Sequence, residues 1–138
     1  MRRTTILLTA ALLAAGAVGC SKSDDEKAKD CAAALTERTG GDPADAPTLS
    51  EAEERVDALD KTLAGMVRKG YVSGAGKAAD AVKKEKTKEY EESRPEACKS
   101  LSEDDYSMLL MANSIDALGW TDEDGQFDKL KMAEGLRN

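Results

Sequence analysis

SEAEERVDALDKTLAGMVRKG, residues 50–70, decides the fold class. Ala52, Val56, Leu59, Leu63 and Met66 recur at alternating spacings of four and three, which lays one apolar stripe along an α-helix and suits neither face of a strand. Ser50 and Glu53 make an S-x-x-E capping box ahead of the stripe, each side chain able to satisfy an open backbone donor of the other residue. Gly70, following Arg68 and Lys69, supplies the stop.

Towards the N-terminus, Asp42-Pro43-Ala44-Asp45-Ala46-Pro47 reads as a loop, because each proline disfavours helix in the residue before it. A short helix is expected before it, from Cys31 to Arg38 through Ala32, Ala33, Ala34 and Leu35, stopping at Gly40-Gly41. Ser21 to Asp30, SKSDDEKAKD, carries no large apolar residue. It reads either as a mobile tether, spanning at most about 35 Å, or as a frayed first helical turn leading into Cys31.

Towards the C-terminus, Ser73-Gly74-Ala75-Gly76 reads as a turn opening a second long helix from Lys77 to Ser93, closed by Pro95. Ala78, Ala79 and Val82 are its expected packing residues, whereas KKEKTKEYEES offers only Tyr90 and reads as a solvated face. Ser102 with Asp105 caps a further helix, which Tyr106, Met108, Leu109, Leu110, Met111, Ile115 and Leu118 make apolar on most sides until Gly119. Such a helix belongs at the centre. A last helix, Gly125 to Leu136, would present Phe127, Leu130 and Ala133 to it. No segment alternates with the period of two of a strand, so the expected fold is all-α, a small bundle of four or five helices.

The first residues have a different character. Arg2 and Arg3 precede an uncharged run from Thr4 to Gly19, the layout of a secretory signal and too short for a transmembrane helix. Ala17-Val18-Gly19-Cys20 resembles the lipobox of bacterial lipoproteins, with Ala17 in place of the preferred leucine. The resemblance implies a diacylglyceryl group on the Cys20 thiol, cleavage after Gly19 and Cys20 as the new N-terminus. Two acyl chains meet the requirement for stable anchoring. The Arg2-Arg3 pair is also similar to the twin-arginine export signal, but Thr5 stands where that signal has a large apolar residue, so general secretion is expected. The chain then divides into a signal peptide (1–19), a lipidated N-terminus and tether (20–30) and a helical domain (31–138) on the extracytoplasmic face of the cell membrane. Further on, RPEACKSLSEDDY (94–106) and ALGWTDEDGQFD (117–128) look similar to small actinobacterial lipoproteins, a resemblance that implies no activity.

Twenty basic and 27 acidic side chains give a formal net charge of −7, and removal of Arg2 and Arg3 makes it more negative by two. Such a surface repels phosphates, so nucleic acid is not an expected partner. The chain has no histidine, which removes the commonest general base and zinc ligand. With Cys20 committed to lipid, Cys31 and Cys98 are an even pair in an oxidising compartment, and a disulfide is expected between them.

The remaining motifs fail on inspection. Gly74-Ala75-Gly76-Lys77 suggests a phosphate-binding loop, yet Tyr71 and Ala78 occupy the places of its first glycine and its Ser/Thr. Asp122, Asp124 and Asp128 alternate as in calcium loops, but Phe127 and Ala133 stand where an EF-hand has glycine and glutamate. An acidic helix N-terminus accounts for the same residues. Among 27 acidic residues some pair always meets a glycosidase spacing, so that rule selects nothing. Trp120, after Gly119, is expected to cover the core.

No catalytic residue, metal site or cofactor is therefore expected. The expected function is that of a lipid-anchored, non-catalytic binding or structural protein of the envelope, meeting the membrane through its N-terminal lipid and an envelope protein or extracellular ligand through its helical domain. A calcium-responsive binding module and a small cell-wall hydrolase are the alternatives.

Overall fold

The structure, a computed structural model, describes residues 22–91 and 94–138. The expected lipidation site, Cys20, and the signal segment before it lie outside the described residues. Among the described residues five α-helices follow one another: α1 (Asp24–Arg38), α2 (Leu49–Arg68), α3 (Val72–Glu91), α4 (Glu103–Ala117) and α5 (Lys129–Gly135). Single 3₁₀ turns at Pro43–Asp45 and Glu96–Cys98 complete the path. The only extended pairing among the described residues is an isolated antiparallel bridge between Thr121 and Phe127, so the fold is all-α as expected.

α1 begins seven residues before Cys31, within the expected tether. Ser23 and Glu26 form a capping box, and Asp24, Asp25 and Glu26 place three carboxylates in the first turn, where the helix dipole favours them. The added turns bury Ala28, which completes a stripe with Cys31, Ala32 and Leu35. Charge dominates this segment by composition, yet its cap and its one buried alanine decide its conformation.

α2 starts from Thr48 rather than Ser50. Thr48 N donates to Glu51 Oε2 at 2.7 Å, and Glu51 N donates back to Thr48 Oγ1 at 3.2 Å. Both positions fit the capping pattern, and the earlier one brings Leu49 into the helix, where it packs against the core. The expected stripe holds: Ala52, Val56 and Leu59 are buried, with Leu63 and Met66 partly buried beside them.

Ser73-Gly74-Ala75-Gly76 is helical, not a turn, because the reversal is complete at Gly70, whose φ is +87°. Gly74 serves close packing instead: a Cβ there would stand 2.9 Å from Met66 Cε. α3 consequently buries Ala75, Ala78 and Val82, while Ala79 is exposed. Ser93, the expected end of this helix, lies outside the described residues, as does the side chain of Tyr90.

α4 is the central helix, packed against α1, α2 and α3. Ser102 caps it by accepting from Asp105 N at 3.1 Å, and Gly119, at φ +71°, ends it. Cys31 and Cys98 are bonded and wholly buried, with their Cα atoms 4.6 Å apart, joining α1 to the turn that leads into α4.

α5 is shorter than the expected 125–136 helix. Asp128 Oδ1 accepts from Leu130 N and Lys131 N and fixes the start at Lys129, which turns Met132 inwards. Leu130 is 75 % exposed and Ala133 is also exposed, so neither makes the expected contact, and Phe127 sits in the bridge before the helix. The phase follows from the capping aspartate and not from Phe127. Among the described residues no helix is long and apolar enough to cross a membrane.

Candidate functional site

The C-terminal end of α1, the first turns of α2 and the loop after α4 meet around a cleft of about 450 Å³. Arg55 forms part of its lining. It falls three residues after Ala52 and one before Val56, on the apolar side of α2, so the helix carries its side chain inwards and leaves it 4 % exposed. Nη1 donates to the Ala112 carbonyl of α4 at 3.2 Å, whereas Nε is buried without a hydrogen-bond partner. Burial pushes the guanidinium pKa down, opposed by the negative charges of Asp116, Glu51 and Asp122.

One wall of the cleft is a tight loop. Asp122 Oδ1 accepts from Asp124 N at 3.0 Å and Gln126 N at 2.8 Å, and the loop closes where Asp128 N donates to the Trp120 carbonyl at 2.7 Å. Gly125, at φ +74°, lies over Arg55, since a Cβ there would stand 3.2 Å from Nη2. The Pro43–Asp45 turn, in which Asp42 caps Ala44 N, also lines the cleft. Glu51, held by its bonds to Thr48, has its carboxyl below the ordinary value of 4.5, first through those bonds and then through the charge of Arg55.

Seven carboxylates line the cleft with the single guanidinium of Arg55. Asp42, Glu51 and Asp122 are fixed by backbone amides, and Asp116 accepts from Thr121 Oγ1 at 2.5 Å. Asp45, Glu123 and Asp124 also line the cleft and are exposed. The lining is strongly acidic around one buried cation.

The three expected calcium residues are separated by this geometry. Asp122 and Asp124 line the cleft, whereas Asp128 caps α5, and Asp122 and Asp128 each use Oδ1 on two backbone amides. Among the described residues no group of three or more His, Cys, Asp or Glu side chains is placed to hold a metal ion. Gly74 to Lys77 lies within α3, and Trp120 is buried at 2 % exposure against α5. Arg55 is the residue that reading the stripe passed over, although an arginine beside Val56 on an apolar helix face is itself a signal of a buried charge.

No protein-family model, curated protein or solved structure matches this chain.

Proposed function

We propose that this protein is a non-catalytic binding domain, held on the extracytoplasmic face of the cell membrane by lipid on Cys20, and that the Arg55 cleft is its binding face. The cleft itself carries the reading, about 450 Å³ lined by seven carboxylates around one guanidinium. A volume of that size falls within the range of small-molecule sites. The resemblance of Ala17 to Cys20 to a lipobox supports the anchoring, and the absence of histidine from the chain supports a binding role over a catalytic one. The calcium alternative draws no support from Asp122 and Asp128, which are not grouped with a third such side chain to hold a metal ion among the described residues and each use Oδ1 on backbone amides.

Mass spectrometry of the membrane fraction should find Cys20 as a diacylated N-terminus, and an unmodified mature N-terminus at another residue would refute the anchoring. Cross-linking on intact cells should capture a partner with the wild-type protein and lose it with E123Q/D124N. Equal capture by both would remove the cleft as the binding face.

A further inference from the structure

Of the four large apolar side chains that stand exposed among the described residues, three fall within six positions of one another: Val67 at 50 %, Tyr71 at 65 % and Val72 at 61 %. Apolar side chains scattered singly over a surface need no account, but these three share the turn between α2 and α3, where every residue from Val67 to Ser73 is exposed. The backbone holds them there. Gly70 N donates to the Val67 carbonyl at 3.0 Å and Tyr71 N to the Met66 carbonyl at 2.9 Å, the paired closure of a Schellman motif with Gly70 at φ +87°. The residue after the glycine commonly packs back on the helix in that motif. Tyr71 stays open instead, and Met66 lies against Gly74.

Charge is segregated in the same place. From Lys61 to Ala79 the chain carries Lys61, Arg68, Lys69 and Lys77 and no acidic residue, although it holds 27 acidic and 20 basic side chains in all. Lys61 pairs with Asp57 at 3.1 Å, which leaves Arg68, Lys69 and Lys77, all exposed, on the turn and the start of α3. The nearest carboxylates along the two helices belong to Asp60 and Asp80, about 10–12 Å from Val67 and Val72 at ~1.5 Å per residue. That exceeds a Debye length of about 8 Å at physiological ionic strength, so their charge is largely screened at the turn. We propose that the α2–α3 turn docks on an anionic phospholipid surface. Val67, Tyr71 and Val72 enter the boundary between headgroups and acyl chains, and Arg68, Lys69 and Lys77 meet the headgroup phosphates. Tyrosine suits that depth because its ring is apolar and its hydroxyl polar, and lysine and arginine lay their stems on apolar surface while their charges stay in water. Affinity for such a surface grows with the apolar area buried and with attraction to anionic lipid, and the turn supplies both. The proposal is independent of the Arg55 cleft and needs no lipid on Cys20.

The test uses the full chain carrying Y71W, its fluorescence read against that of the wild type, whose one tryptophan, Trp120, is buried. Vesicles contain brominated phosphatidylcholine, alone or in equal parts with phosphatidylglycerol, so that bromine in the acyl chains quenches only a side chain that reaches them. In the mixed vesicles the emission added at position 71 should shift to shorter wavelength and fall at least twofold, and in the neutral ones it should stay unchanged. That signal reports the turn and not the N-terminal segment. R68Q/K69Q in the Y71W background should raise the amount of vesicle needed at least tenfold. All three positions are exposed, and unchanged circular dichroism checks that the fold is kept. No quenching beyond the wild type, equal quenching in neutral vesicles, or indifference to R68Q/K69Q would overturn the assignment. On intact cells a photoactivatable residue at position 71 should label phospholipid; labelling of a protein or nucleic acid without phospholipid would overturn it as well.

Discussion

Gly135 lies against the edge of the Trp120 ring, so close that a Cβ on it would stand 2.9 Å from Trp120 Nε1. The last helix therefore seats on the indole through the lack of a side chain, with Met132 filling the core beside it. Two effects compete in Gly135→Ala: helix propensity favours alanine by about 1 kcal/mol, and overpacking against a buried ring costs about 1–3 kcal/mol. Overpacking is expected to win, because Trp120 is almost wholly enclosed and has little room to move. Thermal unfolding should show a loss of stability with altered tryptophan fluorescence; a gain in stability would mean that α5 does not seat on Trp120.

The Cys31–Cys98 bond closes a long loop, with a sequence separation of 67. Chain entropy for such a loop amounts to at most about 4 kcal/mol, a large share of the stability of a domain this size. Peptide mapping without reductant should recover the two cysteines linked, and reduction should lower the melting temperature. Free, alkylatable thiols in the native protein would contradict the structure.

Leu110 in α4 and Leu59 in α2 are buried, whereas Leu130 is open to solvent. Leu110→Ala and Leu59→Ala should each cost about 2–5 kcal/mol, and Leu130→Ala no more than about 0.5 kcal/mol. Denaturant titration measures all three. A large loss at Leu130 would restore the phase expected from Phe127 and refute the observed one.

Two residues compete to cap α2, and Thr48 holds the position. Thr48→Ala should cost about 1 kcal/mol, and Ser50→Ala only a few tenths. The same cap holds the Glu51 pKa below 4.5, chiefly through its bonds to Thr48. For a carboxylate depressed in the folded state, the stabilisation is fully present above the unfolded value and is lost as pH falls through the folded one. Stability should therefore decline on acidification below about pH 4.5, and Thr48→Ala should flatten that part of the profile. A profile of unchanged slope in the variant would show that the cap does not hold Glu51.

Periodicity was enough to read the helices and the central place of α4, because Leu109, Leu110 and Ile115 leave no polar face wide enough for solvent. Helix starts were less legible where two caps compete. Thr48 and Ser50 satisfy the same pattern, and the choice between them depends on whether Leu49 can pack, which is a tertiary fact. Ser73-Gly74-Ala75-Gly76 misleads for a related reason: glycine permits both a turn and a helix, and the reversal is already made at Gly70. The cleft was legible in one half. Its acidic loop stands out in composition, but Arg55 takes its meaning from the Ala112 carbonyl, 57 positions further along the chain.

The disulfide also sets the mechanical path through the molecule. A load applied between the two ends of the chain reaches Cys31 in the second turn of α1 and crosses the sulfur bridge to Cys98. The intervening segment, which holds all of α2 and α3 and would span roughly 220–240 Å if drawn straight, carries none of that tension. A domain pulled by its N-terminus can fray at the first turns of α1 or peel from the α5 end, but the bypassed hairpin stays out of the line of force, and Arg55 with it.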